Sequence, residues 1–332
     1  MKRTGNLIPQ IASNENLLLA FYKAKKGKEA NNEVWEFARS LKSNLSDLQS
    51  KILSAQVAVG NYHYFTIYDP KKRVICAAPF SQRVLHHALM NICHPYFEKF
   101  QIYDSYATRI DKGTFKAVEK ARHYHASNPY YLKMDVRKYF DSICHLKLMN
   151  LLTMQFKDDK LLQIFLQIID SYEVEKNRGL PIGNLTSQYF ANHYLSVFDH
   201  FVKEVLNVKA YVRYMDDMVV WHNSLTELQE IEKRANEFLE GKLKLELKTK
   251  FINKSKHGLT FLGFRLYPKR ILLSSRSKTR YSRKMKQVTR ELHDSEISQL
   301  AYQQRVTALN AFAEKAYSKR FRENVLCQLG EY

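Results

Sequence analysis

Two adjacent carboxylates, Asp216 and Asp217, stand in the stretch Arg213-Tyr214-Met215-Asp216-Asp217-Met218-Val219-Val220. β-prone residues flank them on both sides, Tyr211, Val212 and Tyr214 before, Met218 to Trp221 after. That pattern predicts two strands meeting at a tight turn. The turn lacks the usual Asn-Gly or Asp-Gly chemistry and offers two acids instead. Carboxylates side by side repel, and each raises the other's pKa. A divalent cation removes that cost, and hard Mg²⁺ takes carboxylate oxygen together with substrate phosphates. A bare Asp-Asp pair is most often an ordinary acidic turn. The whole tetrapeptide Tyr214-Met215-Asp216-Asp217 is rarer and more specific.

A third acid ends the strand Tyr130-Tyr131-Leu132-Lys133-Met134, at Asp135. The order is strand, Asp135, helix, long helix, Asp216-Asp217 hairpin, helix, strand, a βαβ-type core that presents acids on adjacent strands. Nucleotidyl transfer requires such a set: two Mg²⁺ ions ~3.5–4 Å apart activate a primer 3′-oxygen and hold a triphosphate. Asp135 and Asp216 are the natural bridging ligands, with Asp217 third and more dispensable. As a helix N-cap Asp135 lies too far ahead of its helix, and Asp141 is the better structural acid. Phe140 would sit under the incoming sugar and exclude a ribose 2′-OH by sterics, a role compatible with core packing. Arg73 follows two lysines on a predicted hairpin, where a guanidinium can clamp a triphosphate; a plain surface arginine is the alternative.

Elements must hold these residues. The first ~55 residues read as helical, with one helix opened by Asn14-Glu15-Asn16 and another marked by Trp35, Phe37, Leu41, Leu45, Leu48 and Ile52. Tyr62–Tyr68 and Arg73-Val74-Ile75 read as strands about a turn, and Phe80–Phe97 as a helix ending near His94-Pro95. Thr114–Ala126 is helical, Ser142 is placed to cap the helix through Leu146 and Leu152, and Leu161–Ile169 and Thr186–Val205 continue in helix. Ser224 to Glu227 has capping-box spacing, and Gly241 stops the helix that follows. Lys242–Lys248 alternates like a half-buried strand, and Leu259–Leu266 forms a short strand or hairpin. From Ser274 the pattern is helical and basic, with ten Lys/Arg and no acid between Arg265 and Arg290. Such a run suits a surface that tracks a phosphate backbone, and Arg276, Arg280, Arg283 and Lys284 are its candidates for template and primer.

Composition agrees with that partner. The chain of 332 residues, 45% hydrophobic and 26% charged, is that of a globular protein with one large core or two to three subdomains. A net charge of +20 points to a polyanion, nucleic acid or an anionic membrane. No apolar run approaches the ~20 residues of a membrane span, and the N-terminus lacks a secretory h-region. The expectation is a cytoplasmic protein bound to nucleic acid. Cys76, Cys93, Cys144 and Cys327 form no metal or disulfide pattern, and His86-His87, His123 and His125 lack partners at ligand spacing.

With these residues in view, Tyr68–Ile75, Ser105–Arg109, Leu132–Phe140, Tyr214–Asp217 and Phe261-Leu262-Gly263-Phe264 resemble the successive blocks of bacterial reverse transcriptases, the group II intron and retron types among them. The resemblance implies an α+β right-hand fold. Fingers with an N-terminal extension would span residues 1–130, a palm with an antiparallel sheet and helices 131–270, and a helical thumb 271–332. It implies Mg²⁺, with Mn²⁺ as a substitute, held by Asp135, Asp216, Asp217 and the backbone of Val136. It also implies nucleotide contacts from Lys71, Arg73, Phe140 and Ile182, and template or primer contacts from Arg109, Gln188, Tyr214, Met215 and Gly263. One block departs from most of these enzymes. Where they carry Pro-Gln-Gly, this chain reads Pro181-Ile182-Gly183-Asn184-Leu185-Thr186-Ser187-Gln188. That form is similar to the reverse transcriptases of diversity-generating retroelements, bacterial or phage-encoded, which copy a template-repeat RNA with errors at adenines. Their cDNA replaces a variable repeat in a target gene, and a small basic accessory protein assists. Intron, retron and abortive-infection enzymes are the neighbouring alternatives. A catalytically silent RNA-binding module is the alternative from another class, disfavoured by the intact set of three acids.

Overall fold

The computed structural model describes residues 3–68 and 72–330. Four helices open the chain: α1 (Ile8–Ile11), α2 (Asn14–Lys25), α3 (Asn32–Arg39) and α4 (Leu41–Leu53). Ser13 caps α2 by accepting the Asn16 N–H, and Asn31 caps α3 by accepting that of Glu33. Each cap satisfies one of the donors a helix start leaves orphaned. Strands β1 (His63–Ile67) and β2 (Arg73–Ala77) follow, then α5 (Phe80–Phe100), α6 (Thr114–Ser127) and β3 (Tyr130–Val136). Next come α7 (Tyr139–Ser142), α8 (His145–Gln155), α9 (Asp159–Asp170) and α10 (Leu185–His200), which runs on as a π-turn over Phe201–Val205. The hairpin strands β4 (Ala210–Tyr214) and β5 (Asp217–His222) precede α11 (Leu225–Phe238) and β6 (Leu247–Lys254). Strands β7 (Leu259–Phe261), β8 (Phe264–Tyr267) and β9 (Arg270–Leu273) lead to helices α12 (Ser275–His293), α13 (Gln299–Ala313) and α14 (Lys319–Gly330). Among the described residues, no helix is long and apolar enough to cross a membrane.

The chain divides into two compact, discontinuous units. One comprises Met1–Tyr103, Val136–Asn207 and Arg234–Lys248, the other Asp104–Asp135, Val208–Lys233 and Thr249–Tyr332. In the first, the ring of Phe97 from α5 packs edge-on to Phe156 and the His193 ring of α10. In the second, Tyr131, Val212, Val219 and Trp221 share a core with Phe261 and Phe264 of the β7–β9 sheet and with Tyr281 and Met285 of α12. The central sheet has the order β4-β5-β3-β6, with β5 antiparallel to both β4 and β3. Met218 to Trp221 on β5 are all buried, as in a strand covered on both faces. Below that strand His125 is a structural joint. Trp221 Nε1–H donates to its Nδ1 at 3.2 Å and its Nε2 lies 2.9 Å from the Ser255 carbonyl, while burial lowers its pKa to about 4.

Several elements differ from the expectation. Helix α5 passes straight through Pro95 to Phe100. The hydrogen bond that proline forfeits is outweighed by burial of Cys93 and Phe97 on either side. The alternating Lys242–Lys248 segment is not a strand at its start. A π-turn spans Leu239–Leu243, Lys244 is left-handed, and strand begins at Leu247. The single helix read through Trp35, Phe37, Leu41 and Ile52 is two, α3 and α4, and Trp35 is 64% exposed. Ser142 ends α7 rather than capping α8, its hydroxyl donating to the Arg137 and Lys138 carbonyls. The capping of α11 is as expected, Glu227 N–H donating to Ser224 Oγ.

Candidate active site

The β4–β5 hairpin closes through a two-residue turn, Met215-Asp216, because Tyr214 pairs directly with Asp217. Met215 takes φ 53°, in the left-handed region. A residue with a Cβ pays roughly 1–2 kcal/mol there, so the surroundings must hold the turn. Arg213, fully buried, does so: its Nη1 donates to the Met215 carbonyl at 3.1 Å. Its own peptide is pinned by the Asp104 carbonyl at 3.0 Å and the Tyr106 N–H at 3.0 Å. Tyr214 Oη accepts from Thr114 Oγ1 of α6 at 3.2 Å.

The strand register then places the acids. Asp135, on β3, is the direct cross-strand partner of Asp217. Directly opposed residues of an antiparallel pair share a face, with Cβ atoms ~4.5–5.5 Å apart. Asp216 is next in the chain, at the turn. All three are half-buried, whereas Met134 and Val136, which alternate with Asp135, are buried. A valine side chain has no donor atom, so Val136 could offer a metal only its backbone carbonyl. Lys133 Nζ lies 3.1 Å from Asp217 Oδ1 and donates to Oδ2 at 3.3 Å. Among the described residues, no three His, Cys, Asp or Glu side chains are grouped tightly enough to hold a metal ion. The donor chemistry nonetheless fits Mg²⁺: carboxylate oxygens and a carbonyl, without nitrogen or sulfur.

The residues assigned to the nucleotide lie on linked segments of the first unit, except Lys71, which falls outside the described residues. Arg73 is exposed at the start of β2, opposite Ile67. The Ile182 carbonyl accepts the Cys76 N–H of the same strand at 2.8 Å, and Asn184 Oδ1 accepts that of Ala78 at 3.3 Å. Between them Gly183 has φ +119°, and a Cβ there would stand 2.8 Å from Ile75 Cγ2. Only glycine lets this loop lie so close to β2. Phe140 is half-buried and its carbonyl accepts the Leu180 N–H at 2.9 Å, so the same loop is tied to α7. Burial raises the Asp141 carboxyl above its ordinary range.

Of the residues assigned to template and primer, Arg109 is turned inward, Nη1 donating to the Ser105 carbonyl at 2.8 Å. Gln188 is half-buried in the first turn of α10. Arg276, Arg280, Arg283 and Lys284 recur at helical spacing on α12, which aligns them on one face. The Arg280 guanidinium stacks 5.7 Å from the Phe312 ring centre. Leu262 and Gly263 form the two-residue β7–β8 turn with φ 47° and 89°, the primed form that matches strand twist. The Gly263 carbonyl accepts from Ser274 N and Ser277 Oγ, and a Cβ on Gly263 would meet Ser277 Oγ at 2.9 Å and Phe312 Cζ at 3.0 Å. Gly263→Ala is expected to lower unfolding stability by about 1–3 kcal/mol, as overpacking does. Urea denaturation checks this, and an unchanged midpoint would show that α12 and α13 yield to the added methyl.

Residues 68–266 match the family described as reverse transcriptase (RNA-dependent DNA polymerase). The chain belongs to this family. Among curated relatives it is 25% identical over 154 residues to an uncharacterized 91 kDa protein in the cob intron of Schizosaccharomyces pombe, covering 45% of this chain and 18% of that protein. It is 21% identical over 151 residues to a putative COX1/OXI3 intron 2 protein of Saccharomyces cerevisiae, covering 43% of this chain and 16% of that one. This reverse transcriptase chain thus spans less than a fifth of those relatives. Among solved structures it resembles a Candida albicans telomerase in complex with a fragment of telomeric RNA, with TM-score 0.52 and 14% identity over 76% of this chain and 55% of that one. A truncated apo telomerase from Candida tropicalis gives TM-score 0.50 and 12% identity over 64% and 55%. These likenesses establish the right-hand polymerase fold.

Two residues of the candidate site escaped sequence reasoning. Lys133 could have been found, because it stands two residues before Asp135 and a strand's period of two puts both on one face. Arg213 gave less signal. A charge inside an apolar strand reads as an edge or a solvent-facing position, and only the structure shows it buried under its own turn.

Proposed function

We propose that this chain is an RNA-directed DNA polymerase, and that it serves a diversity-generating retroelement. The observation that carries the activity is the pairing of Asp135 with Asp217 across β3 and β5, with Asp216 at the adjoining turn. Asp135, Asp216 and the Val136 carbonyl would hold Mg²⁺, which when bound offsets the charge gathered by the acids and by a nucleoside triphosphate. Asp217 orients from the opposing strand. Arg73 clamps the triphosphate, the Phe140 ring excludes a ribose 2′-OH, and Ile182 lies against the nucleotide. Arg276, Arg280, Arg283 and Lys284 follow the phosphates of a template–primer hybrid. In this scheme residues 1–130 are the fingers and N-terminal extension, 131–270 the palm and 271–332 the thumb. Substrates are deoxynucleoside triphosphates on a primed RNA, and a small basic accessory protein is the further partner.

The subclass rests on Ile182-Gly183 with Ser187-Gln188. A glutamine at the first position offers a hydrogen bond worth roughly 0.5–1.5 kcal/mol, and isoleucine offers none. Only a contact stronger in the correctly paired transition state affects fidelity. If the missing bond is of that kind, Ile182 promotes error. Primer extension with Mg²⁺ on a defined RNA, followed by sequencing of the cDNA, tests both levels. Wild type should synthesise cDNA with errors concentrated at template adenines. Ile182→Gln should lower that rate by roughly two- to tenfold with little change in overall extension. No extension would remove the polymerase, and an equal adenine error rate would remove Ile182 from the mechanism. An intron-type enzyme, the reading favoured by the two fungal intron relatives, predicts an even spectrum of errors.

A further inference from the structure

Lys133 carries chemistry that the three acids alone do not explain. It projects from β3 on the face of Asp135, and its side chain is only 17% exposed, against 24% for Asp217. Besides its contacts of 3.1 and 3.3 Å to the two Asp217 oxygens, Nζ donates to the Thr260 carbonyl of β7 at 2.9 Å. It also stands 6.0 Å from the centre of the Phe261 ring. One ammonium thus joins a carboxylate of the central sheet to the backbone of the β7–β9 sheet, one residue before the Leu262-Gly263 turn begins at Phe261.

We propose that Lys133 is a positioning residue of the acid set, and that its charge weakens metal binding at Asp217. This rests on reading Asp135 and Asp216 as metal ligands. A fixed cation within 3.1 Å of one carboxylate cancels part of the field that would draw a second cation there. It leaves Asp135 and Asp216 as the principal ligands. The bond to Thr260 fixes Nζ in place, so the Asp217 carboxylate is held before any substrate arrives. A lysine serving only as a strut between sheets would support the fold without changing how strongly divalent cations bind.

Mn²⁺ is the probe, with free and bound ion separated by electron paramagnetic resonance on the full chain without nucleic acid or nucleotide. Lys133→Met and Lys133→Gln should bind Mn²⁺ about tenfold more tightly than wild type, through loss of one unit charge at contact distance. Lys133→Arg, which keeps the charge, should match wild type. Circular dichroism identifies folded variants, and Lys133→Gln, which keeps a donor for Thr260, serves where Lys133→Met does not fold. Unchanged Mn²⁺ affinity in folded Lys133→Gln, with wild-type binding intact, overturns the proposal alone. Absence of Mn²⁺ binding in wild type, or full binding in Asp135→Asn, overturns the metal reading and the proposal with it.

Discussion

Asp135→Asn and Asp216→Asn should each lose cDNA synthesis by roughly 10³-fold or more, since each removes a carboxylate proposed to hold the Mg²⁺ that offsets the developing negative charge. Both proteins should fold. Asp135 faces Asp217 across the sheet, and like charges directly opposite one another destabilise a pair by up to ~1 kcal/mol. Removing one of them should leave stability unchanged or slightly raised. The signature is therefore opposite in sign for the two readouts, activity gone and melting temperature level or higher. Mg²⁺ should raise the melting temperature of the wild type and do so less for Asp135→Asn. Template–primer binding measured without Mg²⁺ should hold in both variants, because the phosphate contacts proposed for α12 involve neither acid. Substantial polymerase activity in either variant would take the acids out of the chemistry, whatever their geometry.

The second large effect is electrostatic. Affinity for primed RNA should fall steeply with salt, with a log–log slope set by the number of phosphates neutralised. Replacing Arg276, Arg280, Arg283 and Lys284 together with Gln should reduce that slope by about 3 to 4, close to one unit per lost contact. The same helices supply a control. Arg305 is paired with Glu291, and Arg322 with Glu314 at 2.8 Å. Arg305→Gln removes one cation held by an acid on the neighbouring helix and should leave the slope near its starting value. A fluorescence-anisotropy titration at several salt concentrations decides it. An unchanged slope in the fourfold variant would make the basic face of α12 a solvated surface with no part in binding.

What could be read from residues alone follows from which patterns have a single physical solution. The hairpin at Asp216-Asp217 was legible because apolar β-formers on both sides of a short polar break leave few other arrangements. The same holds for the strand ending at Asp135, and together they disclosed the acids. The Lys242–Lys248 segment was half legible. Leu243 and Leu245 are buried while Lys242, Lys244 and Glu246 are exposed, so the alternation of burial is real. A π-turn and a left-handed Lys244 produce it as well as a strand would, and period alone does not distinguish them. Pro95 misled for the opposite reason: a local rule for ending helices yielded to aromatic packing further along the chain. Trp35 shows that a large apolar side chain does not by itself mark a core position. The glycine at 263 and the lysine at 133 act through neighbours distant in sequence, Phe312 and Thr260, and no local pattern announces them.

The pairing of Asp135 with Asp217 also makes the site a matter of odd and even. Side chains on a strand alternate with a period of two, so a slip of one residue would turn Asp135 to the opposite face and bring Met134 or Val136 in its place. A deletion of one residue from Leu132–Met134 would therefore erase the acid pair even if every strand re-formed. A deletion of two would preserve its parity. Tolerance of length changes in β3 and β5 should follow the parity of the change before its size, a rule that loops elsewhere in this chain have no reason to obey.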